Sequence, residues 1–364
     1  MTFRPDNFDR SKQTTLDLYV PGRLCLFGEH SDWAGQYRAI NAAIQPGYAL
    51  VVGTERGIFA RVRPHHHLVM KSINCSQILN ITMDEDLLLN RAKSSDFYSY
   101  VAGVAYQALR LYGVGGIEID NYQMTLPLQK GLSSSAAICV LVARAFNQLY
   151  NLGLTIAEEM NLAYVGERTT PSQCGKLDQA CAYGRQPILM TFDGDRLEIQ
   201  PLSVGKDLYL IVVDLAGYKD TQAILAQLNQ CYPHAQNSLQ QGVHDYLGRV
   251  NAEIVTQAQA AIEIGDSAQI GALMNYAQQQ FDLHLTPACP DQLQAPLLHQ
   301  LLAHPPLQSY IYGGKGVGSQ GDGTAQLIAH DLHSQQQAIA LIRRDFPTMD
   351  CHPLTIPQQC RHSN

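Results

Sequence analysis

The chain has no cysteine pair at Cys-x-x-Cys spacing, no run of lysines or arginines, and no long apolar run. Each absence removes a class of function. Nine cysteines among 364 residues are an odd number, scattered from Cys25 to Cys360, which argues against a disulfide framework or a zinc knuckle. A formal charge of −7, with Arg61 and Arg63 as only an isolated basic pair, offers no footprint for nucleic acid or an anionic membrane. No apolar stretch approaches the ~18 residues of a membrane span. Residues 1–16 are polar and lack the apolar centre of a secretory signal, so the expectation is a cytoplasmic protein with free thiols. Three nucleotide and hydrolase patterns are also missing: G-x-x-x-x-G-K-[ST], G-x-S-x-G and H-E-x-x-H. His65-His66-His67 has no carboxylate or cysteine ligands at regular spacing and reads as a solvated turn.

What is present is ordinary in bulk and specific in detail. The composition, 46% apolar and 16% charged, is that of a globular enzyme, and the length provides for two cores. Strand-like runs occupy 17–27 and 46–63, and 95–112 places Tyr98, Val101, Val104, Ala105 and Leu109 on one helical face. A strand-like segment near 117–126 precedes a helix over 134–150. Thr155 and Glu158 form a capping box for a helix to Arg168. A short helix is expected from about Leu177. Residues 208–214 read as a strand that opens a second half. Helical patterns follow at 219–231, 237–263 and 266–283, then strand, glycine-rich turn and strand over 308–329. A helix over 333–345 leads into an irregular tail. Strands and helices in blocks predict two α+β domains, 1–205 and 206–364.

Three stretches carry chemistry. At 127–137, Pro-Leu-Gln-Lys-Gly-Leu-Ser-Ser-Ser-Ala-Ala opens into an apolar helix. A helix start offers unpaired N–H groups and partial positive charge, and small side chains let a phosphate approach them. Ser133, Ser134 and Ser135 could cap that helix or reach a phosphate-bound metal ion. An ordinary serine cap on a buried helix is the plain alternative. At 21–32, a short apolar strand ends at Gly28, and Glu29, His30 and Asp32 follow on a turn, offering acceptors and a donor to adjacent hydroxyls. Arg23 brings a fixed fork of donors to the same strand. Glu167 and Asp178 flank a loop containing Pro171 and Gly175; two carboxylates delivered to one cleft could divide the work of binding Mg²⁺ and facing a reacting hydroxyl. The third stretch, Gly313 to Thr324, satisfies G-x-G-x-x-G, but its flanks read strand–turn–strand, not the strand–turn–helix of a dinucleotide site.

In this order and at this spacing, the stretches resemble the three motifs of the GHMP kinases. Motif one, Gly22-Arg23 with Gly28-Glu29-His30-Ser31-Asp32-Trp33, is most similar to the galactokinase subset. The resemblance implies a two-domain α+β GHMP kinase fold with its active site in the cleft between domains. It implies ATP and Mg²⁺, and a sugar phosphorylated at a hydroxyl, the anomeric one of galactose or a related monosaccharide. Uronic-acid and mevalonate-type alcohol kinases, and a non-catalytic sugar or nucleotide sensor, are the alternatives. Asp178 is the implied catalytic aspartate and Arg23 its neighbour on the transfer path. Glu29, His30 and Asp32 would hold sugar hydroxyls, with Tyr218 over the substrate. Backbone from Lys130, Gly131 and Leu132 through Ser133, Ser134, Ser135 and Ala136 would cradle the phosphates. By similarity to mevalonate kinase, Ser135 and Glu167 would coordinate the metal. No nucleic acid or membrane partner is expected. Cys25 departs from the galactokinase pattern, as do Lys219 and Asp220, and Ser319, Gln320 and Asp322 interrupt the glycines of motif three. A uronic acid would need an extra cation, which Lys219 or Arg38 could supply.

Overall fold

The computed structural model describes residues 15–126, 133–172 and 174–359. The chain begins with β1 (Leu16–Phe27), α1 (Ser31–Gln36), β2 (Gly47–His65), β3 (His67–Ser72), β4 (Cys75–Thr82), α2 (Glu85–Ala92), α3 (Phe97–Tyr112) and β5 (Gly116–Met124). It continues with α4 (Ser134–Tyr150), α5 (Ile156–Arg168), a 3-10 helix (Asp178–Tyr183), β6 (Ile188–Asp193), β7 (Arg196–Pro201) and β8 (Leu208–Asp214). Then come α6 (Thr221–Asn229), α7 (Ser238–Asp245), α8 (Asn251–Ile264), α9 (Ser267–His284), α10 (Pro290–Leu293) and α11 (Pro296–Leu302). The last elements are β9 (Ile311–Gly316), β10 (Thr324–Ala329), α12 (Leu332–Asp345) and β11 (Asp350–Ile356).

Two compact units emerge, and neither is continuous in sequence. Unit 1 takes residues up to Arg23 together with Gly53–Arg185; unit 2 takes Leu24–Val52 together with the chain from Gln186 onward. A single boundary near residue 205 was expected. The unit boundaries at 23/24 and 52/53 instead fall inside β1 and β2, where strand-forming residues run on without a linker to mark the change.

In unit 1, β4, β3, β5 and the Ile58–His65 part of β2 are neighbours in that order, with β3 parallel to β5 and the other pairs antiparallel. The anticipated helices form where local signals put them. Asp96 caps α3 by accepting from the N–H groups of Tyr98 and Ser99, and Gly113 ends it in the left-handed region. Thr155 and Glu158 close the capping box of α5 in both directions. Helix α4 buries ten side chains, Ala136 to Phe146 among them, and so serves as the core of the unit. Its Arg144 donates to Glu159 of α5 at 2.9 Å and to the Ala182 carbonyl of the 3-10 helix at 2.7 Å, fixing three elements to one guanidinium.

Helices α3 and α5 touch at backbone distance. A Cβ built on Gly166 would sit 2.5 Å from Val104 Cγ2 and 2.7 Å from Val104 Cα, and one on Gly103 would sit 2.3 Å from the Gly166 carbonyl. Gly166→Ala therefore has to push α5 away from α3, and overpacking of this kind costs about 1–3 kcal/mol. Urea denaturation should show a lower midpoint for Gly166→Ala at unchanged slope; an unchanged midpoint would mean that the helices are not pinned there.

In unit 2, β11, β8, β10 and β9 form an antiparallel sheet in that order. Ile211, Val213 and Leu327 of its strands pack with Leu298 of α11 and with Ala338 and Ile342 of α12. The irregular tail expected after residue 345 is instead the strand β11, whose Cys351, Leu354 and Ile356 are buried against the sheet. The helix expected over 237–263 is interrupted by a π-helical turn, Tyr246–Val250, between α7 and α8. In the same unit, Gly47–Val51 of β2 pair with β6, and β6 pairs with β7. The outer edge of β9 is covered by α9: Asn275 Oδ1 accepts from Gly314 N at 3.0 Å and Gln278 Oε1 from Gly316 N at 2.8 Å. None of the helices among the described residues is long and apolar enough to cross a membrane.

Candidate active site

Unit 1 brings Arg23, Ser133 and Asp178 together. Arg23 Nε donates to Asp178 Oδ1 at 3.1 Å, and its Nη2 makes a second, closer contact with the same oxygen. Ser133 Oγ donates to Oδ1 as well, at 2.9 Å. Among the described residues, Asp178 Oδ2 receives no donor. One carboxylate oxygen is thus anchored by three donors, and the other remains available to a ligand.

The start of α4 differs from a plain serine cap. Ser133 occupies the cap position at φ 53°, in the left-handed region, and its side chain makes no cap hydrogen bond because it is directed to Asp178. The first N–H groups of α4, at Ser134, Ser135 and Ala136, therefore lack a side-chain cap, which suits an anion. Lys130, Gly131 and Leu132 of the expected phosphate cradle lie outside the described residues.

Glu167 lies at the end of α5, with only 1% of its surface exposed. Gln179 Nε2 donates to its Oε2 at 2.7 Å, Ser172 Oγ to Oε1 at 3.2 Å, and the Ser135 hydroxyl is a further hydrogen-bond donor. All three are neutral. Burial first, and then the charge of Asp178, raise the Glu167 carboxyl to about 7. Gln179 Oε1 next to it is buried without a partner. A buried carboxylate served only by neutral donors, beside a second carboxylate and an orphaned amide oxygen, fits a hard divalent cation. Two protein oxygens are an ordinary set for Mg²⁺, which keeps waters and phosphate oxygens for the rest. No cluster of three or more His, Cys, Asp or Glu ligands occurs among the described residues, so a cage made of protein groups alone is not what this site offers.

Unit 2 holds the motif-one turn. Gly28 ends β1 at φ 94°, and a Cβ there would fall 2.0 Å from the Tyr48 carbonyl, so only glycine lets the turn close over β2. Gln326 of β10 fixes the strand before it by donating to the Cys25 and Leu26 carbonyls, both at 3.0 Å. Glu29, His30 and Asp32 are all buried. Glu29 Oε1 accepts from Lys315 Nζ at 2.5 Å, and Lys315, 1% exposed, also donates to the Gly316 carbonyl at 2.8 Å. Trp33 Nε1 donates to His30 Nδ1 at 3.2 Å, so the neutral imidazole carries its proton on Nε2. Burial first and the Lys219 charge second depress His30 to about 4.

Tyr218, expected over the substrate, is 83% exposed. Lys315 was missed by the reading of the sequence. Its only signal there was a lysine within the glycines of motif three, and its partner stands 286 residues away.

Comparison with known proteins bears on the family and the fold. Residues 99–185 match the model of the GHMP kinases N terminal domain. A galactokinase of Thermococcus kodakarensis is 27% identical over 245 residues, covering 66% of this chain and 63% of that protein. A galactokinase of Pyrococcus furiosus is 27% identical over 200 residues, covering 54% and 52%. The chain thus matches less than two thirds of the length of either relative. Among solved structures, Lactococcus lactis galactokinase complexed with galactose superposes with a TM-score of 0.70 at 17% identity, covering 94% of both chains. L. major mevalonate kinase in complex with R-mevalonate gives 0.67 at 18%, covering 96% of this chain and 98% of that one. These likenesses establish the mixed α and β fold. Residues 99–185, which include Ser133, Glu167 and Asp178, thus match a GHMP kinase N-terminal domain, and the chain is similar to galactokinases over about two thirds of its length.

Proposed function

We propose that the protein is an ATP-dependent kinase that transfers a phosphoryl group to a hydroxyl of a small acceptor, a monosaccharide of the galactose kind at its anomeric position. The observation that carries this reading is Asp178, held through Oδ1 by Arg23 and Ser133 with Oδ2 left for the acceptor. Asp178 receives the hydroxyl proton at Oδ2 as the oxygen–phosphorus bond forms. Arg23 fixes the rotamer of Asp178 and adds positive charge beside the moving phosphoryl group. The uncapped N–H groups of α4 bind the phosphates of the nucleotide. Mg²⁺, when bound, would be held by Ser135 and Glu167 and offset charge on the phosphate oxygens. In unit 2, Glu29, His30 and Asp32 hold hydroxyls of the acceptor. Positioning and electrostatics supply most of the acceleration in such a transfer.

The test is ADP release from ATP and magnesium with a panel of aldoses, uronic acids and mevalonate. Release that depends on the acceptor and stops on chelation of magnesium is expected. Tight binding of sugar and nucleotide with no ADP formed for any acceptor would overturn the reading in favour of a sensor.

A further inference from the structure

Asp178 is anchored to Arg23 and Ser133, and the next residue of the 3-10 helix, Gln179, serves Glu167 instead. Its side chain is wholly buried. Nε2 donates to Glu167 Oε2 at 2.7 Å and lies 3.6 Å from Cys174 Sγ, a second and weaker acceptor. Turned over, the amide would set its oxygen against the Glu167 carboxylate, so this orientation is fixed. Oε1 is thereby committed to the opposite direction, where it is buried and receives no donor.

A buried acceptor without a donor is costly, and such groups are kept where something completes them. The bond to Glu167 accounts for the amide nitrogen and leaves the bare oxygen unexplained. The kind of donor is informative too. A lysine or arginine would orient Glu167 equally well, but its charge would cancel the one that draws a cation. The amide holds the carboxylate and leaves that charge in place, as do the Ser172 and Ser135 hydroxyls.

We propose that Gln179 is the positioning residue of the magnesium site: its N–H sets the Glu167 carboxylate in the orientation that takes the ion, and its Oε1 accepts from water that the ion retains. Magnesium bound by one or two protein oxygens keeps several waters, so such a donor is at hand. Partners behind a metal ligand change metal affinity by about 10–100-fold. The proposal rests on the kinase reading for the identity of the ion. Asp178 and Gln179 being consecutive, one short helical turn sets both the proton acceptor and the metal ligand.

The probe is Mn²⁺. Its binding to the full chain with ADP is followed by loss of the free-ion EPR signal, with no acceptor present and no turnover. Gln179→Met keeps the length of the side chain and removes both hydrogen-bonding groups, and it should weaken Mn²⁺ binding by about tenfold or more. In a Glu167→Gln background the same substitution should change the affinity less than about twofold, because the group through which it acts is gone. In turnover, half-maximal rate should need about tenfold more magnesium while the acceptor KM stays unchanged. Should Gln179→Met not fold, Gln179→Asn takes its place: it retains an amide but is one methylene too short to reach Glu167. Wild-type Mn²⁺ affinity in these variants, or an equal loss with and without the Glu167 carboxylate, would overturn the proposal while leaving the kinase reading in place. Should the wild-type chain release ADP with no acceptor, the kinase reading fails and the EPR cycle still decides Gln179. A loss that depends on Glu167 sustains the proposal, and a wild-type chain that binds no Mn²⁺ overturns it.

Discussion

Asp178→Asn is expected to lower kcat by about 10²–10⁴-fold, the range for loss of a positioned general base. The substitution is informative because of how the carboxylate is held. Three donors, two from Arg23 and one from Ser133, converge on Oδ1. Asparagine has one acceptor oxygen, and these donors dictate that it takes the Oδ1 place. The amide nitrogen then replaces Oδ2, putting a donor where the acceptor hydroxyl would deliver its proton. Shape and anchoring survive, and proton acceptance does not. The nucleotide dissociation constant should therefore change little while turnover collapses. A kcat within two- or threefold of wild type would remove Asp178 from the reacting centre. The Arg23 pair also loses its charge in this variant, and a parallel melting curve separates that structural cost from the chemical one.

Glu167→Gln is expected to stabilise the protein at pH 8 and to weaken its use of magnesium. The sign follows from the folded carboxyl titrating at about 7 against an unfolded value of 4.5. Below pH 4.5 both states hold the proton and the group contributes nothing. Between 4.5 and 7 the unfolded chain has released its proton while the folded chain retains it, so stability falls as pH rises. Above 7 the cost is constant, about 3 kcal/mol for a shift of this size. Glutamine does not ionise and escapes that cost. The melting temperature of Glu167→Gln relative to wild type should therefore climb between pH 5 and pH 8 in the absence of metal. Turnover should meanwhile need more magnesium, since the charge that attracts the cation is gone. A variant less stable than wild type at pH 8 would show that Glu167 is not strained by its burial. A pH-independent difference would place the effect in packing.

The parts of the fold that could be read in advance are those written in short stretches of chain. The α5 capping box needs only Thr155 and Glu158, and the strand–turn–strand around motif three needs only its own flanks. Strands β4 and β7 escaped notice because most of their side chains face solvent, leaving few apolar residues to betray a period. Strand β11 contains Pro353, which speaks against a strand until its edge position beside β8 is known. The same contrast holds for the sites. The hydroxyls of 133–135 were visible, but the turning of Ser133 away from its own helix and toward Asp178 depends on a residue 45 positions later. Arg23 and Asp178 are 155 residues apart, and Glu29 and Lys315 are 286 apart. Such pairs exist only after the topology has brought them together, which is why Lys315 went unread.

The interleaved make-up of the two units bears on how the chain is born. On the ribosome, unit 1 has its last residue once Arg185 has emerged, yet Leu24–Val52 must by then have been held back for partners still untranslated. That early segment contains Leu24, Leu26, Phe27 and the Ala49–Val52 run, all buried in the finished protein. Nascent chains therefore display an adhesive strand pair until the C-terminal half arrives, a natural grip for a holding chaperone. Cutting the gene near codon 205 would release an N-terminal fragment that holds all of unit 1 together with an orphaned part of unit 2, and a C-terminal fragment in which unit 2 is incomplete.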